Sequence, residues 1–284
     1  MKSLCVKTNN NEIINYLLEE FNNIDMENLY ISKRNFKIYT NLIIHYLGNN
    51  FPLFYSTLSN ILTSCIISIY EEKILKHILD YNYFYFDNLE KIQILNNINS
   101  LFTSKDFFNK YDNVNLSLMK YIRENNSLVL DGFVNFRLKD YILFLDGFID
   151  LAVNKFLIDK EYNEFVNILR LYINSEAHNS KYNHIHLIYT KGNSILVDDC
   201  KNIISTQDDI FNAKYLSDIS FSSNDYILNT LLKLLPNNIT IHLINTYCDE
   251  FINTLKLIFQ NKINICEDCD ICNIYKTNRL LDLE

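Results

Sequence analysis

The sequence predicts a mixed α+β protein, with a mostly helical N-terminal and central part and an α/β unit at the C-terminal end. Three observations support this fold class. The 284 residues include only four glycines and two prolines, which favours long helices. Apolar residues recur at helical spacing through most of the chain up to Asn174. Beyond Asn183 they alternate in short runs, as the residues of half-buried strands do.

The N-terminal region, residues 1–130, is predicted to be mostly helical with a small β element. A short strand is predicted over Leu4–Lys7. The helix that follows has one apolar face, made of Ile13, Ile14, Leu17, Leu18 and Phe21. Apolar alternation over Leu29–Ile38 then predicts a β-hairpin, in which the polar segment Ser32–Asn35 is the turn.

Helices are predicted for the rest of this region. The pattern is helical from Tyr39 to about Leu79, and Gly48 and Pro52 separate two helices there. Asp87 and Glu90 have the spacing of a capping box, in which each side chain accepts from the other residue's backbone N–H. A further helix is therefore expected to begin at this point.

The second region, residues 131–284, begins with central helices just beyond Gly132. Their apolar residues keep to helical spacing and are expected to form a core face rather than a ligand-binding stripe. The residues expected in this core are Phe136, Tyr141, Leu145, Phe148, Phe165 and Leu169.

The last hundred residues carry the predicted α/β unit. Ile185–Tyr189 and Ile195–Val197 flank a turn at Lys191–Asn193, which predicts a β-hairpin. A strand over Ile239–Ile244, a helix and a strand over Ile263–Ile265 then follow at the spacing of a parallel βαβ crossover.

Composition and charge narrow the possible classes of function. The net charge of −8 and the pI near 5.3 argue against nucleic-acid binding, which needs a basic surface. The N-terminus lacks the apolar segment of a secretory signal, and the most apolar stretch, Ile61–Tyr70, is too short to cross a bilayer. Seven cysteines in such a chain suggest reduced thiols or metal ligands. We expect a cytoplasmic protein without membrane insertion.

The most specific chemical feature is the run Cys266, Cys269 and Cys272, in which two residues separate each cysteine from the next. Zinc is bound by such thiolates in a tight turn. A regular helix would spread the three side chains around its axis, so convergence requires a loop. His242 or Cys248 is the candidate fourth ligand. Both lie at the end of the neighbouring strand of the expected parallel pair, at the same edge as Cys266.

Two other interpretations of the cysteine run stay open at the sequence level. An iron–sulfur cluster could use Cys248 as its fourth ligand, although the ferredoxin pattern expects a later cysteine where Lys276 and Thr277 stand. A redox role conflicts with the acidic neighbours Glu267 and Asp268, which disfavour a thiolate. The cysteines can also be free thiols near the C-terminus.

A second, weaker pattern lies on the first strand of the α/β unit. His184 and His186 share one face of that strand, and Asp198, Asp199 or Cys200 can lie opposite them. The pattern fits a metal-ligand pair with a carboxylate. Hydrogen-bonded histidines on a half-polar strand give the same pattern.

Several segments, in order along the chain, resemble the YtxC family of sporulation proteins. The segments are Phe133–Tyr141, Lys160–Phe165, Ile239–His242 and Cys266–Cys272, with support from Asn82–Phe86. The similarity is best between residues 133 and 272. The resemblance implies an endospore-forming Firmicute and a link to sporulation, and it supplies no catalytic residues.

Two hypotheses about function follow. The first is a non-enzymatic structural or interaction protein of sporulation, with an unidentified protein partner and a zinc ion at its C-terminal end. The second is an enzyme whose site lies at the carboxyl ends of the parallel strands, near Asn245, Thr246, Asp249 and Cys266, where ligands of open α/β sheets bind. The absence from the sequence of a recognisable nucleophile-and-base motif favours the first.

Overall fold

The computed structural model describes residues 1–176, 182–190, 194–205, 222–244 and 246–281. The chain divides into two compact units, Met1–Ile158 and Asp159–Glu284. Each unit has its own mixed sheet and its own hydrophobic core. The predicted α+β class is confirmed. The boundary between the two units falls at Ile158, inside a long helix.

The sheet of the first unit has four strands in the order β2-β3-β1-β4. Their bounds are β1 Lys2–Thr8, β2 Leu29–Asn35, β3 Thr40–Tyr46 and β4 Ser127–Val129. β1 pairs antiparallel with β3 and parallel with β4. Helix α1, Asn11–Asn22, begins where the Asn10 side chain accepts from the Glu12 backbone N–H, and it buries Ile13, Ile14, Leu17 and Phe21. The predicted first strand and helix are thus confirmed.

The predicted hairpin exists, but its turn was misplaced. Ser32–Asn35 belongs to β2, and the turn lies at Phe36–Tyr39, where the Phe36 N–H donates to the Tyr39 carbonyl at 2.9 Å. The helix expected from Tyr39 was also wrong at its start, because Thr40–Tyr46 is strand β3. Alternate residues of β3 are buried while their neighbours are only partly so, which is the period of a strand.

Helices make up the rest of the first unit. Their bounds are α2 Phe51–Cys65, α3 Glu71–Asn82, α4 Asn88–Leu101, α5 Ser104–Glu124, α6 Leu130–Arg137 and α7 Lys139–Ser175, the last of which extends into the second unit. A π-helical segment, Ile66–Tyr70, joins α2 to α3. The capping box of Asp87 and Glu90 is present at the start of α4, as the sequence predicted.

The stretch Phe51–Asn82 is long and apolar enough, by length and composition, to cross a membrane. Half of its most apolar window is buried inside the protein. A core helix of a globular domain shows such burial. Within this stretch, α2 packs against α5.

The core face expected for the central helices is correct in part. Tyr141 and Leu145 are buried, and Phe148 is half-buried. Phe136 is 73% exposed and Phe165 is 50% exposed, so both expectations were wrong. Leu138 leaves the helical conformation between α6 and α7, which breaks the periodicity that had joined Phe136 to the residues after it.

Further along α7, the buried face moves by one position. Val166 and Ile173 are buried in the core of the second unit, and Leu169 is half-buried beside them. Phe165 immediately precedes Val166 and therefore lies off that face.

The sheet of the second unit has five strands in the order β7-β6-β5-β8-β9. Their bounds are β5 His184–Tyr189, β6 Ile195–Asp198, β7 Ile203–Ile204, β8 Asn238–Leu243 and β9 Ile263–Cys266. β5 pairs antiparallel with β6 and parallel with β8, and β8 pairs parallel with β9. The predicted strand pairs are confirmed; the turn at Lys191–Asn193 lies outside the described residues.

Among the described residues after β7, three helices follow, namely α8 Ser223–Leu234, α9 Glu250–Phe259 and α10 Asp270–Leu281. Alternate residues of β5 and β8, including Leu187 and Ile241, share a core with α8 and α9. The intervening residues carry the histidines. Ile188, Val197, Ile244 and Cys272 form a separate small cluster with the cysteine-bearing end of the chain. The sheet therefore separates an apolar core from the candidate site.

Candidate metal centre

The centre is built on the paired ends of two parallel strands. The strand register places His242 of β8 opposite Cys266, the last residue of β9. The side chain of His242 is buried, with only 2% of its surface exposed. A histidine and a cysteine are thereby held side by side by backbone hydrogen bonds of the sheet.

Cys269 and Cys272 are added by the turn into α10. Cys269 immediately precedes the helix, and its Sγ accepts from the backbone N–H of Cys272 at 3.5 Å. Cys272 lies in the first turn and is fully buried. The loop that the sequence analysis required for convergence is therefore the short turn between β9 and α10.

Four of the six separations between the donor atoms of these side chains are close to the edges of a tetrahedron. With zinc–sulfur bonds near 2.3 Å and zinc–nitrogen bonds near 2.05 Å, such edges are about 3.8 Å between sulfurs and about 3.6 Å between sulfur and nitrogen. The Cys272 Sγ lies 3.8 Å from the Cys266 Sγ and 3.7 Å from the Cys269 Sγ. The His242 Nδ1 lies 3.4 Å from each of the sulfurs of Cys269 and Cys272. All four donor atoms lie within 4.8 Å of one another, so the cluster can hold a metal ion.

The protonation of the cluster is uneven. Burial raises the pKa of the Cys269 thiol, but the backbone N–H donors of Cys272 and Ile271 and the neighbouring thiols outweigh burial and leave that pKa below its usual value. Burial, together with the other two thiols, raises the pKa of Cys272 to about 12. The backbone N–H groups at the helix N-terminus thus favour the thiolate of Cys269, while burial disfavours the thiolate of Cys272.

His242 is held as a neutral ligand. Burial, reinforced by the nearby His186 and His184, lowers the pKa of His242 to about 4. Its Nδ1 faces the sulfurs, and its Nε2 lies 3.0 Å from the Nδ1 of His186. A metal-binding histidine commonly has such a partner on its second nitrogen, because that bond fixes the orientation of the ring.

Cys248, the other candidate fourth ligand, lies elsewhere. It packs with the apolar core on the α9 side of the sheet, and its Sγ accepts from Lys256 Nζ at 3.6 Å. The structure thus brings together four of the five candidate ligands, and His242 rather than Cys248 lies with the three cysteines.

The weaker histidine pattern also forms a cluster. Asp199 is the residue opposite, since its Oδ1 lies 3.0 Å from the Nδ1 of His184 and 3.6 Å from the Nε2 of His186. Asp198 instead accepts from Asn202, and Cys200 is exposed. The link from His186 to His242 was missed by the sequence analysis. The alternation places His184, His186, Thr240 and His242 on one face of their strands, and the pairing of β5 with β8 brings His186 next to His242.

Among the described residues of the enzyme hypothesis, Asp249 and Cys266 have different partners. Asp249 caps α9 by accepting from the Ile252 N–H, and it also accepts from the Tyr189 hydroxyl at 2.5 Å. Cys266 belongs to the metal cluster. Asn245 lies outside the described residues. The groove beside Asp249 is open, and its other acids, Asp225 and Glu250, stand in the first turns of α8 and α9.

A family comparison decides the lineage. The model of the YtxC-like family matches residues 56–264, which is most of the chain. The chain belongs to the YtxC-like family. The matched range of the YtxC-like family includes His184, His186 and His242 and ends two residues before Cys266. Neither the curated proteins nor the solved structures yielded a match to this chain.

Proposed function

We propose that this chain is a cytoplasmic, sporulation-associated interaction protein whose C-terminal end is fixed by a structural zinc ion. The ligands are Cys266, Cys269, Cys272 and His242. The observation that carries the proposal is the agreement between their donor separations and the edges of a zinc tetrahedron. Membership in the YtxC-like family supports the link to sporulation.

The donor set favours zinc over the other interpretations. Three sulfurs and one imidazole nitrogen are a tetrahedral set that suits this ion. Four protein ligands leave no position for water or substrate, which is the arrangement of structural rather than catalytic zinc sites. An iron–sulfur cluster would place several atoms among its thiolates, whereas these sulfurs approach to 3.7–3.8 Å around a single centre.

The structural role follows from where the ligands lie. His242 and Cys266 belong to neighbouring strands, and Cys269 and Cys272 belong to the start of α10. A bound ion would therefore join α10 to the sheet edge. In small zinc domains this binding contributes about 10–16 kcal/mol to folding.

A protein-binding role is supported by an exposed aromatic segment of the first unit. Tyr81 lies in the last turn of α3, Phe84 and Tyr85 lie just beyond the helix, and between 62% and 78% of each residue is exposed. Groups of large apolar side chains on the surface of a soluble domain commonly mark interaction sites. The formal charge of −8 makes a protein a better-matched partner than nucleic acid.

Elemental analysis of protein purified without added metal tests the zinc site. We expect about one equivalent of zinc in the wild type and little in Cys269→Ser, because a neutral hydroxyl replaces a thiolate ligand. Cys248→Ser is the matched control and should keep its zinc, since Cys248 lies outside the cluster.

Three results would contradict the proposal. Zinc-free wild-type protein would remove its basis, and equal zinc in wild type and Cys269→Ser would place the ion elsewhere. A brown protein that absorbs visible light would instead indicate an iron–sulfur cluster.

A further inference from the structure

A second set of metal-binding atoms lies on the same sheet face as the cysteine cluster. His184, His186 and Asp199 each offer one ligand atom, and these three atoms lie within 4.8 Å of one another. The Asp199 Oδ1 is 3.0 Å from the Nδ1 of His184 and 3.6 Å from the Nε2 of His186. Ligands about 2.0–2.2 Å from one ion in tetrahedral directions are about 3.3–3.5 Å apart, so one ion can reach all three atoms with small side-chain adjustments.

The surroundings of His184 suit a ligand. Its Nε2 lies 2.8 Å from the Thr240 hydroxyl, which can accept a hydrogen bond from that nitrogen while Nδ1 binds an ion. The three side chains are partly open to solvent, with exposed fractions of 28% for His184, 15% for His186 and 58% for Asp199. Unlike the cysteine cluster, this set leaves coordination positions for water or another ligand.

The two sets of donors share a hydrogen bond between His186 and His242. Each neutral imidazole has a single N–H. Zinc on the Nδ1 of His242 puts that ring's proton on Nε2, which then donates to the Nδ1 of His186 across 3.0 Å. The proton of His186 must then sit on its Nε2, the atom that faces Asp199. An ion at Asp199 requires the opposite arrangement, in which His186 Nδ1–H donates to His242.

We propose that His184, His186 and Asp199 form a second, open site for a divalent transition metal, and that zinc in the cysteine site weakens binding there. The site itself stands on its own geometry, whereas the weakening rests on the zinc site proposed above. With both sites filled, two N–H groups would face each other at the His186–His242 contact unless one ring lost a further proton. Two imidazoles and one carboxylate suit zinc, cobalt, iron or manganese in the divalent state.

Cobalt(II) titration of the full-length, metal-free protein tests the second site. Cobalt in the cysteine site gives a sulfur-to-cobalt charge-transfer band, and cobalt at the second site does not. We expect a second equivalent to bind without adding to that band, as measured by calorimetry. Asp199→Asn should abolish the second equivalent and keep the band, and His184→Gln should do the same. Cys200→Ser, which changes an exposed neighbour, should leave both equivalents unchanged.

The coupling is tested by comparing two proteins. Cobalt affinity at the second site should be about 10–100-fold higher in Cys269→Ser than in the zinc-loaded wild type, which is the range in which outer partners alter metal affinity. Equal affinities would overturn the coupling. A second equivalent that survives both Asp199→Asn and His184→Gln, or that is absent from wild type and Cys269→Ser alike, would overturn the site. Absence of the charge-transfer band would refute the cysteine site alone, because binding at His184 and Asp199 is scored separately.

Discussion

Each of the two units contains a buried polar cluster, and the two clusters differ in where their positive charge comes from. In the first unit, Lys110 Nζ donates to both carboxylate oxygens of Glu71 at 2.8 and 2.9 Å, and the Tyr141 hydroxyl donates to Glu71 Oε2 at 2.6 Å. In the second unit, three thiols and a neutral imidazole converge. The first cluster has its cation in the chain, while the second consists of four atoms that can hold a metal ion.

The two units differ in how their buried polar groups are stabilised. Glu71 is stabilised by Lys110 as soon as α3 and α5 meet, so that cluster is complete on folding. If the cysteine cluster holds the proposed zinc ion, its stability depends on an ion that replaces thiol protons. Stability of the two units should therefore respond to different variables.

Chelation of metal should have the largest effect. We expect a strong chelator to lower the unfolding temperature of the second unit by ten degrees or more (on the order of several kcal/mol of the binding free energy), and to leave the first unit nearly unchanged. Differential scanning calorimetry with and without chelator measures both transitions. Identical scans would show that the second cluster does not depend on an ion.

Removal of the Lys110 side chain should have the second-largest effect on stability. Lys110→Ala leaves the carboxylate of Glu71 buried without its partner, and the expected loss of unfolding free energy is about 3–5 kcal/mol. Urea unfolding measures the loss, which should not depend on zinc. The double variant Lys110→Met with Glu71→Leu should recover a large part of it. A loss below about 1 kcal/mol in the single variant would mean that Lys110 and Glu71 contribute no more than a surface pair.

The phenol that completes the first cluster should have a smaller effect. Burial, with the charge of Glu71 and the hydrogen bond to it, raises the pKa of Tyr141, so its hydroxyl stays protonated and donates. Tyr141→Phe keeps the ring and removes the donor, with an expected loss of about 1.5–3 kcal/mol in urea unfolding. Tyr83→Phe is a control at a more exposed phenol that donates to Asp150, and its effect should be less.

Thiol reactivity distinguishes metal protection from simple burial. Cys65 is buried in the first core, and burial raises its pKa to about 12. It should resist alkylation at pH 8 with or without metal, whereas Cys269 should resist only while metal is bound. Mass spectrometry of alkylated peptides measures both, and Cys200, which is exposed, serves as the positive control. Equal reactivity of Cys269 in the two states would argue against metal protection.

The same shift makes the first unit sensitive to alkaline pH. The folded pKa of Cys65 lies above the value of about 9 expected when unfolded, so the stabilisation is complete below about pH 9 and is lost as pH rises toward 12. Cys65→Ala should flatten this part of the profile of unfolding free energy against pH. An unchanged profile would show that Cys65 does not titrate in this window.

The sequence was informative wherever periodicity and local chemistry agreed. The strands that contain His186, His242 and Cys266 were predictable. Short runs of strand-forming residues, the helical pattern between them and the turn residues all indicated a hairpin followed by a parallel βαβ unit. Thr40–Tyr46 was misassigned, because a short apolar run fits a helix and a strand almost equally well and only pairing with Lys2–Thr8 decides. The prediction that Phe136 is buried was wrong for a related reason. The helix is interrupted at Leu138, and no glycine or proline there signals the interruption.

The candidate site was predictable in its membership but not in its connections. Spacing alone indicated that Cys266, Cys269 and Cys272 could share an ion. The choice between His242 and Cys248 depends on the direction in which each side chain leaves the sheet, a long-range property that no local pattern contains. The contact between His186 and His242 likewise exists only because β5 and β8 are paired in register.

Strand β8 gives its odd-numbered residues to the hydrophobic core, and its even-numbered residues Thr240 and His242 lie on the face that carries the candidate metal centre. Sliding this strand by one residue would exchange the two sets, placing Thr240 and His242 among apolar side chains. The four ligands meet only when β8, β9 and the turn into α10 are all in their native alignment. A metal ion held there would stabilise only chains with the native strand register, since misaligned chains could not bind it.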